Sequence, residues 1–117
     1  MSESMVSVSE VNGVPVVRMD GTKSDPEALA ALQDLLQAVT AGGHDHVVFD
    51  GCKLSAVDDT LLGTLTVLAS ALRDRGGQLR VCFSSRTTAK ELWNELDLAA
   101  YMPLHDSVKD AVGAVGG

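Results

Sequence analysis

The sequence predicts an α/β domain in which an N-terminal β-hairpin is followed by alternating helices and strands, giving a mixed sheet of four or five strands with packed helices. Three observations carry this expectation. Asn12-Gly13 lies between two Val-rich runs, a strong hairpin signal. Two long segments repeat leucine at helical spacing and close on Gly42-Gly43 and Gly76-Gly77. Short apolar runs of strand length lie between and after them.

Each element follows from its residues. Residues 5–11 alternate, with Val6, Val8 and Val11 as β-branched members, and read as the first strand. Residues 14–19 read as the second, and Pro15 places it near an edge or a strand start, where a missing N–H is tolerated. Ser24-Asp25-Pro26-Glu27 opens a helix with a capping residue, a proline in the first turn and an acid near the positive end of the dipole. Leu29, Leu32, Leu35, Leu36 and Val39 form its apolar stripe. Val47-Val48-Phe49 is a continuous apolar run, as expected of a strand buried on both faces. Residues 58–75 read as the second helix, with Leu61, Leu65, Leu68 and Leu72 on one stripe and Arg73 and Arg75 at the negative end of the dipole. Leu79, Val81 and Phe83 alternate as a fourth strand. Thr87 or Thr88 opens a third helix through Leu96, residues 106–115 make a final one, and a short strand near 100–104 is only weakly signalled. Strands separated by helices need crossovers, hence a parallel or mixed sheet.

A chain of 117 residues fits a single domain spanning 1–117. Its apolar share is 45%, yet it has no isoleucine and only Phe49, Phe83, Trp93 and Tyr101 as aromatics, so Val, Leu and Ala must build the core. Sixteen acids against nine bases give a net charge of −7. That balance opposes nucleic-acid binding and docking on anionic lipid, both of which need a basic face. No stretch approaches the roughly 20 apolar residues of a membrane span, so no membrane insertion is expected. The opening Met1-Ser2-Glu3-Ser4 lacks the basic start of a secretory signal, and two thiols suit a reducing compartment, so a cytoplasmic location is expected.

Enzyme and metal motifs are weak. No Gly-rich phosphate loop is present, and the two Gly-Gly pairs read as helix terminators. His44-x-His46 with Asp45 lacks an evident third ligand, so no metal is expected there. Cys52 and Cys82 lack C-x-x-C spacing and read as small core residues, and Ser55 lies in no G-x-S-x-G turn. Asp58-Asp59-Thr60 is different, because two acids and a hydroxyl gather at a helix start. One reading is capping, with Asp58 accepting backbone N–H bonds and Asp59 favoured by the dipole. The other is a phospho-switch, since the dipole tolerates a phosphate there without melting the helix.

Further stretches extend the pattern. Val47-Val48-Phe49-Asp50 is a strand ending in Asp, and Ala56-Val57-Asp58-Asp59-Thr60 leads into the second helix. Residues 63–72 and Arg75-Gly76-Gly77-Gln78-Leu79-Arg80-Val81 follow. Then come residues 92–98 with their Leu96-Asp97-Leu98 turn, and Leu104-His105-Asp106-Ser107-Val108-Lys109-Asp110-Ala111. This ordered set, covering most of the chain, resembles the STAS domain family, the fold of bacterial anti-sigma-factor antagonists. The resemblance implies a non-enzymatic, protein-binding regulator of transcription that needs no cofactor. In that family a hydroxyl at the start of the second helix is phosphorylated by a serine kinase that also serves as anti-sigma factor. The unphosphorylated form binds this partner and frees the sigma factor.

Placing Asp58 on the family's Asp puts Asp59 at the phospho-acceptor position, Thr60 on the next, and Leu61 where the family often has Gly. Three readings stay open. Asp59 is a fixed negative charge that mimics the phosphorylated state; or the helix start slips by one residue and Thr60 is the acceptor; or the switch is lost and the domain is a constitutive adaptor. Thr60, the only hydroxyl of the cluster, is the candidate acceptor. The partner face implied is Lys53, Ser55, Asp58, Asp59, Thr60 and Leu61 with Ser84 and Ser85, although Ser84-Ser85 also reads as an ordinary loop at a strand end. An alternative within the same resemblance is an adaptor on the ATPase of a bacterial phospholipid ABC transporter. The opening hairpin leaves an edge at which two copies could pair as a homodimer. A response-regulator receiver is opposed by the hairpin and by Asp20 standing alone where an acidic pair is needed.

Overall fold

A computed structural model describes residues 5–20, 26–52, 59–83 and 89–115 of the chain. Strands β1 (Met5–Val11) and β2 (Val14–Asp20) form the hairpin. Asn12 and Gly13 both take positive φ, 52° and 81°, as a two-residue turn matched to strand twist requires. Helix α1 (Pro26–Ala41), strand β3 (His46–Gly51), helix α2 (Asp59–Asp74), strand β4 (Gln78–Phe83) and helix α3 (Ala89–Glu95) follow. A single 3-10 turn at Leu98–Ala100, strand β5 (Leu104–His105) and helix α4 (Val108–Val115) complete the described chain. The five strands lie in sequential order, β1 antiparallel to β2 and the rest parallel. The sheet is thus mixed and five-stranded. Pro15 sits at the start of β2, which is an interior strand with β1 outside it.

This order decides where the helices go. Crossovers that step across a sheet in one direction with right-handed connections fall on one face. One cluster accordingly gathers Leu32 and Leu36 of α1, Leu61, Leu65, Leu68 and Leu72 of α2 and Trp93 of α3 over Val17, Met19, Val47, Phe49, Leu79, Val81 and Phe83. On the opposite face α4 lays Ala111 and Val112 over Val14, Val16 and Val48. Val47, Val48 and Phe49 are all fully buried because β3 is covered on both sides. The absence of isoleucine is met by a Val-lined sheet under Leu-faced helices.

Helix α2 ends in a Schellman motif, with the Gly77 amide on the Leu72 carbonyl at 2.8 Å and the Gly76 amide on Arg73 at 3.0 Å. Gly76 takes φ 82°. Gly77 then passes against the Asp45 backbone, so a Cβ there would strike the Asp45 carbonyl that accepts from the Gln78 amide. Arg75 reinforces this corner by donating to the Thr40 carbonyl at 2.8 Å and pairing with Asp45 at 3.1 Å. Gly77→Ala is expected to destabilise the fold by roughly 3 kcal/mol, since backbone must move to relieve the overlap. Urea unfolding of the variant checks this, and an unchanged midpoint would show that the corner yields freely.

Candidate functional site

The site candidate is built on the first turn of α2. The helix buries one stripe, Leu61, Leu62, Leu65, Leu68, Ala69 and Leu72, which fixes its rotation against the sheet. That rotation leaves Asp59 and Thr60 exposed. Leu61 points the other way: it is 0% exposed and belongs to the core cluster, so it holds the first turn in place and offers no surface. Asp59 lies in the first turn, where a carboxylate is favoured by the positive end of the helix dipole. Lys53, Ser55, Asp58, Ser84 and Ser85 lie outside the described residues. Strands β3 and β4 end side by side, with Gly51 opposite Phe83.

An open groove of about 720 Å³ runs between α1 and α2, with Asp59 and Thr60 among its lining residues. Leu36 and Leu68 supply apolar lining, Gln33 and Gln37 line it from α1, and Val67 is 73% exposed beside it. Gly63 borders the groove, and a Cβ added there would meet nothing. The α1 residues were not singled out from sequence, because Gln33 and Gln37 look like an ordinary polar helix face until α2 is laid beside them. Val67 does carry a signal: it is an apolar residue lying off the leucine stripe.

Other candidate chemistry is placed plainly. His44 lies in the connection before β3 and His46 opens that strand, and neither joins a group of three metal-ligating side chains among the described residues. Cys82 is buried, whereas Cys52 is only half-buried in the turn after β3. His105 is held below its ordinary pKa, first by burial and then by the Arg80 guanidinium that contacts it at 3.2 Å. No described helix is long and apolar enough to cross a membrane.

This is an α/β sheet of sequential strands whose candidate site is an exposed helix start beside a shallow groove, an arrangement suited to surface recognition. The STAS domain family model matches residues 5–111, and the chain belongs to that family. Among solved structures it is similar to an anti-sigma factor antagonist from Mycobacterium paratuberculosis, at 22% identity over 98% of this chain and 96% of that one, with a TM-score of 0.80. It is also similar to the anti-sigma factor antagonist SpoIIAA in its unphosphorylated form, at 18% identity over 97% of each chain and a TM-score of 0.76. The Bacillus cell fate determinant SpoIIAA in its phosphorylated form matches at 17% identity, over 95% of this chain and 99% of that one, with a TM-score of 0.74. These likenesses show the shared fold. A comparison with curated protein sequences found no significant match.

Proposed function

We propose that this chain is a non-enzymatic, cytoplasmic partner-switching regulator of the anti-sigma-factor-antagonist type. It binds a kinase-type anti-sigma factor through the first turn of α2 and the groove beside it. The observation that carries this reading is the exposure of Asp59 and Thr60 together at that groove. Thr60 is the hydroxyl that takes phosphate, and Asp59 places a carboxylate directly before it. A phosphate adds about −1.5 to −2 charge, which the helix dipole tolerates, so the modification changes the surface while the fold stays. Family membership and the likeness to anti-sigma factor antagonists support the reading. Lys53, Ser55 and Asp58 precede the helix in sequence and belong to the same proposed face, with Ser84 and Ser85.

A second reading has one observation in its favour. Asp59 in place of a hydroxyl suits an adaptor that never switches, docked on a transporter ATPase. Affinity capture of the tagged chain from its native cells, with mass spectrometry of the bound proteins, separates the two. The expected result is a serine kinase of the anti-sigma type, captured by the wild type and lost from Gly63→Trp. That variant puts a bulky side chain into the groove from a position where an added Cβ meets nothing, and it replaces a glycine that costs a helix interior about 1 kcal/mol. Recovery of a transporter ATPase instead would sink the sigma-factor reading. Undiminished capture of the kinase by Gly63→Trp would remove the groove from the interface.

A further inference from the structure

The sheet face under α4 carries a transverse row of unlike side chains near the C-terminal ends of its strands. Register sets Arg18 of β2 beside Asp50 of β3, Asp50 beside Cys82 of β4, and Cys82 beside His105 of β5. Asp50 shares the face of Val48, two residues earlier, which packs under α4. Cys52 returns to this row from the turn after β3, its amide donating to Asp50 Oδ1 at 3.0 Å. The Cys82 Sγ lies 3.8 Å from Asp50 Oδ1. A carboxylate oxygen of Asp50 and the sulfurs of Cys52 and Cys82 all fall within 4.8 Å of one another.

We propose that Asp50, Cys52 and Cys82 form a binding site for a thiophilic divalent cation such as Zn²⁺, with two thiolates and one carboxylate oxygen as ligands. Tetrahedral coordination with bonds of about 2.3 Å to sulfur and about 2.0 Å to oxygen sets ligand atoms roughly 3.5–3.8 Å apart. The Cys82–Asp50 pair already stands at 3.8 Å, and all three atoms lie within 4.8 Å of one another. Three protein ligands leave a fourth position for water or an exchangeable group, the pattern of open zinc sites. Charge also fits. Two thiolates and a carboxylate on a dication leave one net negative charge, and Arg18 is close enough to interact with both Asp50 and Cys52. Burial pushes both thiols up, a cost that the bonds to the cation must offset. Binding then breaks two S–H bonds, forms two sulfur–metal bonds and releases two protons to solvent. The site does not depend on the proposed partner switch.

The test is a titration of the reduced, metal-free full chain with Co²⁺ alone. A thiolate-to-cobalt charge-transfer band is expected to grow and saturate at one cobalt per chain, and Zn²⁺ should displace it. Cys52→Ser is the variant of choice, since Cys52 is half-buried in a turn whereas Cys82 is in the core; it should remove the band while far-ultraviolet circular dichroism stays unchanged. Asp50→Asn should weaken binding by roughly tenfold or more. Independently of any variant, one equivalent of Zn²⁺ should protect Cys52 of the wild type from alkylation by iodoacetamide. Absence of the band from the folded wild type would overturn the proposal, as would its persistence in Cys52→Ser or unprotected alkylation. Saturation at half a cobalt per chain would also overturn it, by placing the metal between two copies.

Discussion

Thr60→Ala is expected to take up no phosphate from the kinase-type partner that labels the wild-type chain, and to stay bound to it. Other threonine hydroxyls of the two helices are engaged with their own backbone. Thr64 and Thr66 donate to the carbonyls of Thr60 and Leu62, one turn back, at 3.1 and 2.7 Å. Thr40 does the same toward Leu36 and Gln37. Thr60 is the second residue of α2, which begins at Asp59. Its side chain is exposed at the end of the helix where a dianion is best tolerated. Asp59→Ser is the companion variant. It removes the permanent charge and adds a second hydroxyl, so binding should tighten about tenfold, or about 1.4 kcal/mol, and phosphate uptake should rise. Intact mass after kinase treatment and calorimetric affinities read both effects. Wild-type labelling of Thr60→Ala would move the acceptor elsewhere, and an unchanged affinity of Asp59→Ser would end the fixed-charge role.

The fold was legible where periodicity and turn chemistry agreed. Asn12-Gly13, the leucine stripes of α1 and α2 and the Gly-Gly terminators each name a local conformation, and sequential parallel pairing then follows from connection rules. Legibility failed where structure depends on contacts distant in sequence. Strand β5 is only two residues, Leu104 and His105, and exists because β4 offers an edge and the Val81 amide bonds the Pro103 carbonyl at 3.0 Å. The 3-10 turn before it starts after Asp97 in a left-handed conformation, φ 53°, with no side-chain cap to announce it. The site divides in the same way. Asp59 and Thr60 are neighbours in sequence and could be singled out there. The groove needed α1 beside α2, and the Asp50–Cys52–Cys82 group needed the β3–β4 register to bring together cysteines thirty positions apart.

Trp93→Ala is expected to cost about 4 kcal/mol, the largest stability loss foreseen for a single side chain in this fold. Trp93 is 2% exposed, and its ring stands 5.4 Å from that of Phe83, which in turn lies 5.9 Å from Phe49. These three rings join α3 to the ends of β4 and β3. The indole Nε1 also donates to the Met102 carbonyl at 2.7 Å, inside the core. That bond ties α3 to the segment leading into β5, and through it to α4, whose cover of β2 and β3 depends on where β5 ends. Removing the indole therefore opens a cavity and leaves a buried carbonyl without its donor. Trp93→Phe separates the two losses: it keeps most of the ring but not the donor, and should cost about 1–2 kcal/mol. Urea unfolding followed by circular dichroism is the measurement, because Trp93 is the only tryptophan and no fluorescence probe survives its replacement. The melting midpoint of Trp93→Ala should fall by roughly 15 °C. Equal losses in the two variants would assign the stabilisation to the hydrogen bond, whereas a negligible loss in Trp93→Phe would assign it to the packed rings alone. Partner affinity of the folded Trp93→Phe chain should be unchanged, since the groove between α1 and α2 draws no residue from α3.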